Sequence, residues 1–204
     1  MTQSLQYSQE TPSQTAGPYV HIGCTPNFAG IKMFGGDLGA EMKLGPVRGE
    51  EIRVTGAVID GTGRAVRDAM VEIWQADAAG LFASANETRG EADPNFTGWG
   101  RCPSDLTTGE FTFDTVKPGP VPWPDGRLQA PHVSMWIVAR GINIGLQTRV
   151  YFEDEPNANA ADPILTRIEH QNRVSTLLAR KEGPAQYRFD VHLQGPSETI
   201  FFDI

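Results

Sequence analysis

Cysteine is nearly absent from this chain: Cys24 and Cys102 are the two in 204 residues. Two cysteines make no disulfide framework, although a bond between them stays open. The opening stretch, Met1 to Glu10, is polar and lacks the charged and apolar blocks of a secretion signal. Both features point to a soluble protein of the reducing cytoplasm. Long apolar runs are also missing; none reaches the roughly 18 residues a membrane span needs, so no membrane partner is expected. Positive charge is scarce, with 17 Lys and Arg against 25 Asp and Glu, a net charge of -8 and a pI of about 5.0. That balance argues against a nucleic-acid partner, while leaving room for one basic pocket for a small anion, because fields are local. Nor is there a P-loop, a dinucleotide fingerprint, a His-Glu-x-x-His or a nucleophile elbow. The four histidines, His21, His132, His170 and His192, are far apart in the chain. A lone histidine is more often structural than a metal ligand.

What is present reads as β structure. Hydrophobic residues make up 39%, enough for one large domain. Residues 1–48 show no sustained period and carry Thr11 to Tyr19 and then repeated glycines through Gly45. The apolar content of this stretch (Tyr19, Val20, Ile22, Phe28, Phe34) predicts an arm that packs on something. From Glu51 the pattern alternates: Ile52, Val54, Gly56 and Val58 mark a half-buried strand, followed by the turn Asp60-Gly61-Thr62-Gly63. Met70 to Trp74, Phe111 with Phe113, His132 to Val138, Leu146 to Phe152, Tyr187 to Leu193 and Glu198 to Ile204 read as further strands, about seven in all. One stretch reads as helical, with Asp162 as cap, Pro163 at the first position, and Ile164, Leu165, Ile168, Leu177 and Leu178 as apolar members. The expectation is an all-β fold, an antiparallel β-sandwich over residues 49–204, with an extended N-terminal arm over residues 1–48 and short edge helices. From the residues alone, function stops at a β-sandwich that is not an independent metalloenzyme.

Several strings carry more. Val71-Glu72-Ile73-Trp74-Gln75-Ala76-Asp77, Asp93-Pro94-Asn95-Phe96, Gly100-Arg101-Cys102, Thr115-Val116-Lys117-Pro118-Gly119-Pro120, Ala130-Pro131-His132 and Thr148-Arg149-Val150-Tyr151-Phe152 occur in this order. In this joint order the chain resembles the intradiol ring-cleavage dioxygenases, and within them the iron-free subunit of a two-chain member. The segments Thr11 to Gly23, Ala139 to Ile144 and Gly195 to Ile204 match that subunit.

The resemblance implies O2-dependent cleavage of a carboxylated catechol, protocatechuate, to 3-carboxy-cis,cis-muconate. The family's catalytic chain holds Fe(III) with two tyrosines and two histidines, since phenolates are hard donors suited to Fe(III) and imidazoles complete the set. Those four positions fall here near Thr88 and at Val121, His132 and Ser134. An arginine of the catalytic chain is replaced by Gln129 and a glutamine by Arg149. His132 is then expected to be a structural relic, hydrogen-bonded inside the sandwich. No catalytic residue and no metal ligand is assigned to this chain. Fe(III) would belong to a homologous partner, the beta subunit, in a hetero-oligomer.

The resemblance further implies that this chain completes the substrate pocket. In Thr15-Ala16-Gly17-Pro18-Tyr19, glycine admits a ligand close to the backbone and proline fixes the path beside it; an ordinary turn would look the same. Gly17 is the leading candidate, with Thr15, Pro18 and Tyr19 beside it. Arg140 follows the apolar run ending at Ala139, and a guanidinium matches a ring carboxylate with two donors, although a solvated strand-end arginine has the same appearance. The alternatives are a sandwich that binds an aromatic ligand without turnover and an independent enzyme with another metal arrangement.

Overall fold

A computed structural model describes residues 15–33, 35–143 and 145–203. Met1 to Gln14, including the polar start and the first part of the Thr11 to Tyr19 string, lies outside the described residues, as do Phe34, Ile144 and Ile204. Among the described residues eleven strands form, β1 (Glu51–Ile59), β2 (Met70–Trp74), β3 (Trp99–Pro103), β4 (Glu110–Val116), β5 (Val121–Pro122), β6 (Leu128–Gln129), β7 (His132–Val138), β8 (Leu146–Phe152), β9 (Leu178–Gly183), β10 (Gln186–Arg188) and β11 (Val191–His192). The same residues form the α-helices α1 (Pro18–Cys24) and α2 (Pro156–Ala161) and 3-10 turns at Leu165–Arg167 and Gln171–Leu177. No helix among the described residues is long and apolar enough to cross a membrane.

The all-β expectation holds, but the strands are not purely antiparallel. The main sheet runs β11-β1-β10-β9-β8-β7-β2-β3, with β4 also paired to β1. β1 is parallel to β10 and β11, and β8 is parallel to β9. The sheet curls until its outer strands β3 and β4 meet, where the Thr112 amide donates to Cys102 Sγ at 3.5 Å. The result is a mixed sheet nearly closed into a barrel, which leaves little exposed edge. Alternation in sequence reports which residues face inward and says nothing about strand direction. Inward residues such as Val54, Phe113, Val71, Met135, Ile137, Val150 and Phe152 make one buried cluster. Ala130, Tyr151, Leu165 and Leu177 make a second, smaller cluster under the short helices.

Three local expectations are corrected. The stretch Tyr187 to Leu193 is two strands, because Asp190 Oδ1 replaces a backbone acceptor for the Ala57 amide at 3.0 Å and breaks the ladder. Glu198 to Asp203 is not a strand; Phe202 makes one bridge to Gln147, and Thr199 and Ile200 are held by the hydroxyls of Thr148 and Thr176 and by His192. The helical stretch expected from Asp162 onward is two 3-10 turns, while the α-helix α2 lies before it and ends at Ala161, and Leu178 opens β9. Asp162 still does what a cap does: its Oδ1 accepts from the amides of Ile164 and Leu165 at 2.8 and 2.9 Å. In the arm, α1 is the one helical turn pair that the lack of period had concealed, opened by Pro18 at the first helical position.

Candidate functional site

The arm is stapled onto the end of the barrel where β7 finishes and β2 begins. Thr15 Oγ1 accepts from the Gly141 amide at 2.6 Å, 126 residues away in sequence. His21 Nε2 lies 3.1 Å from the Asp68 carbonyl, which can only accept, so in the neutral ring Nε2 carries the proton and Nδ1 accepts from Thr25 at 3.2 Å. Arg101 Nη1 donates to the Cys24 carbonyl at 3.1 Å, closing off the end of α1.

These staples create two hollows with Gly17 common to both. One, of about 400 Å³, is lined by Gly17, Val20, His21, Phe28, Asp68 and Arg140. The other, of about 620 Å³, is lined by Thr15, Gly17, Tyr19, Trp136, Val138 and Ile142, among others. Thr15, Gly17 and Tyr19 are thus brought together, and Gly17 meets Arg140 across the first hollow. The side chain of Pro18 lies outside the described residues; its backbone begins α1. Tyr19 is 83% exposed and presents an unburied ring at the rim. Arg140 is 78% exposed in its side chain, and Asp68 Oδ2 takes its Nε at 3.2 Å. That contact occupies one edge of the guanidinium fork, which has five N–H donors in all. Asp68, His21 and Trp136 were not legible as site residues; nothing local in the sequence marks them, since the Thr15–Gly141 and His21–Asp68 contacts alone bring them here.

The positions that the family resemblance assigns to iron ligands lie elsewhere, on a loop between β2 and β3 and on β5 and β7. Thr88 is exposed on a loop, Val121 is a buried aliphatic on β5, and Ser134 on β7 faces Arg149 on β8. His132 is buried at 7% exposure and its Nδ1 donates to the Ala130 carbonyl at 2.8 Å. Burial, and next the Arg149 guanidinium, push its pKa down to about 4. Arg149 Nη1 donates to Gln129 Oε1 at 2.8 Å and lies 3.4 Å from the Tyr151 hydroxyl, which in turn sits 3.4 Å from Asp162 Oδ1. Burial and then the charge of Asp162 push the Tyr151 phenol up, so it stays protonated. No group of three His, Cys, Asp or Glu that could hold a metal occurs among the described residues. Fe(III) does not fit this donor set: the phenolates are missing, the imidazole is tied to the backbone, and a guanidinium stands beside it. The expected reading of His132 as a hydrogen-bonded core residue agrees with this geometry.

The family model described as Dioxygenase matches residues 25–195. The protocatechuate 3,4-dioxygenase alpha chain of Pseudomonas putida is 44% identical over 202 residues, covering 98% of either chain. The protocatechuate 3,4-dioxygenase beta chain of Burkholderia cepacia is 36% identical over 168 residues, covering 78% of this chain and 70% of that one. Among solved structures, the dioxygenase domain of a dioxygenase carbohydrate-binding protein fusion from Streptomyces sp. SirexAA-E shares the fold at 22% identity, with a TM-score of 0.53 over 83% of this chain and 97% of that one. By the extent of these matches, the chain belongs to the intradiol dioxygenase family.

Proposed function

We propose that this chain is the alpha subunit of a protocatechuate 3,4-dioxygenase, with Fe(III) carried by a homologous beta subunit and the substrate pocket completed by this chain. The observation that carries the reading is the end-to-end similarity to an alpha chain, in a polypeptide with threonine, valine and serine where the family resemblance expects three of the four iron ligands. The reaction adds both atoms of O2 across the bond between the two hydroxyl-bearing ring carbons and gives 3-carboxy-cis,cis-muconate. This chain's part is to bind and orient. Arg140 offers its free guanidinium edge to the ring carboxylate, Gly17 lets the ring approach the backbone, Thr15 and Tyr19 shape the rim, and Pro18 fixes the backbone path between them; holding a reactant in one geometry contributes to rate in its own right.

Residues 1–48 serve as the arm that packs on the partner, and residues 49–204 as the barrel. Tyr19, Ile22, Met33, Leu38 and Leu44 are large apolar residues left exposed on the arm, the kind of surface a partner covers. The free thiols Cys24 and Cys102 suit a reducing cytoplasm.

The test is co-purification and turnover. Expressed with its beta chain, the protein is expected to form a hetero-oligomer that takes up O2 with protocatechuate; expressed alone, it is expected to show no ring cleavage. Cleavage by this chain alone would overturn the assignment.

A further inference from the structure

On the far side of Arg140 from the arm lies a third hollow, of about 460 Å³, lined by Arg64, Arg67 and Arg140 over an apolar floor that includes Val66, Ile142 and Leu193. Most arginines of this acidic chain sit within 4.0 Å of a carboxylate. Arg64 and Arg67 do not, among the described residues, and both are exposed. Two carboxylates, Asp60 and Asp68, line the same hollow, and Asp105 lies close enough to feel the charge of Arg67. Asp60 Oδ1 accepts from the Thr62 amide, the Thr62 hydroxyl and the Arg64 amide at 2.8, 2.7 and 3.0 Å, which builds its own turn. Asp68 Oδ2 is on Arg140 Nε, and Asp105 Oδ1 takes the amides of Thr107 and Thr108 at 2.8 and 2.7 Å. Three arginines thus line one hollow against two carboxylates, with Arg140 tied to Asp68 at one edge and Arg64 and Arg67 within 4.0 Å of no carboxylate among the described residues, beside an apolar wall that strengthens their attraction for anions.

We propose that this hollow is a binding site for small polycarboxylates, and that in the assembled enzyme it takes the open-chain product. The second clause rests on the function proposed above. Ring opening turns two phenolic carbons into carboxyl groups, so a substrate with one carboxylate becomes a product with three. A single guanidinium suits the former; three suit the latter, since each can pair one carboxylate. Arg140 stands between the arm-side hollow and this one, so a product released from the first meets Arg64 and Arg67 next.

The experiment has two arms. In the first, the full-length chain is titrated calorimetrically with propane-1,2,3-tricarboxylate at low ionic strength, as wild type and as the double variant Arg64→Ala/Arg67→Ala. Saturable binding weakened at least about fivefold in the variant, and abolished by 0.5 M NaCl for the wild type, is expected from the screening of exposed charges. In the second, product inhibition of the two-chain enzyme is measured. The inhibition constant for 3-carboxy-cis,cis-muconate should rise by a similar factor in the double variant, while kcat and KM for protocatechuate stay within about twofold. Equal tricarboxylate binding by both proteins, or no binding by either, would overturn the site. Tricarboxylate binding that depends on Arg64 and Arg67 in a protein without dioxygenase turnover would leave the site standing and remove the functional reading. Normal turnover with inhibition insensitive to both arginines would do the reverse.

Discussion

Exchanging Gln129 and Arg149 tests whether these two side chains act as a structural pair. Gln129 is 7% exposed, and its Oε1 accepts from Arg149 Nη1 at 2.8 Å. Arg149→Gln removes a charged hydrogen bond and should cost about 2 kcal/mol. Gln129→Arg is worse. It sets two guanidinium groups roughly 4 Å apart in a partly buried site, where like charges repel by about 4 kcal/mol at an effective dielectric near 20. Added together, the two changes should cost about 6 kcal/mol if the residues are independent. In the double variant one guanidinium and one amide face each other again, and the cost should fall to about 1 kcal/mol. The couple between Gln129 and Arg149 is then worth on the order of 5 kcal/mol, far above what unlinked sites show. For a domain of this size each kcal/mol moves Tm by about 2–4 °C, so Gln129→Arg should lower it by roughly 8–16 °C and the double variant by a few degrees. Thermal melts followed by tryptophan fluorescence read this directly. A double variant that melts at the sum of the two single shifts would refute the pairing.

Other outcomes follow from the same contacts. Asp162→Ala strips the acceptor from the amides of Ala130, Ile164 and Leu165; at about 1–3 kcal/mol for each buried unsatisfied group it should cost at least 3 kcal/mol, measured by urea unfolding. His132 titrates near 6.5 in the unfolded chain and at about 4 when folded. Because its folded pKa is depressed, the unfolded state takes up the proton first, so its share of stability is whole above pH 6.5, falls as pH drops, and levels off below about 4. The loss amounts to about 3 kcal/mol; the acid limb of a stability–pH curve should flatten in His132→Gln, and an unchanged limb would exclude this residue as its source. Gly56→Ala would drive a Cβ into the Phe189 carbonyl oxygen, between β1 and the crossing that joins β10 to β11, and should lower the unfolding free energy by well over 1 kcal/mol, read as a lower urea midpoint. Arg140→Ala, in the two-chain enzyme, should raise KM for protocatechuate by tenfold or more and leave the rate on unsubstituted catechol as it was; equal effects on both substrates would take Arg140 out of carboxylate recognition.

How much of this was legible in the sequence depended on whether a feature was local. β1, β2, β7 and β8 follow from alternation or from an apolar run, because every inward residue meets the same core. Strand direction did not follow, since the parallel seams of β1 with β10 and of β8 with β9 are set by chain paths that no residue pattern encodes. β9 was hidden because Leu177 and Leu178 continue a helical reading, while the chain in fact turns from 3-10 to extended between them. The empty ligand positions were visible directly, as valine and serine carry no phenolate or imidazole whatever their surroundings. The arm hollow was half visible. Gly17 and Arg140 came from resemblance to relatives, but that Arg140 is tethered by Asp68, and that Arg64 and Arg67 stand behind it, emerges only when residues some 75 positions apart are folded together.

Iron in the assembled enzyme is expected to owe nothing to side chains of this polypeptide. Diffraction from the co-purified two-chain complex, with an anomalous difference map collected at the iron absorption edge, tests it most directly. Each iron peak should be ligated by residues of the beta chain alone, with no peak near His132 and with the Arg149–Gln129 pair intact. An iron atom coordinated by His132, or by any other side chain of this chain, would contradict the account.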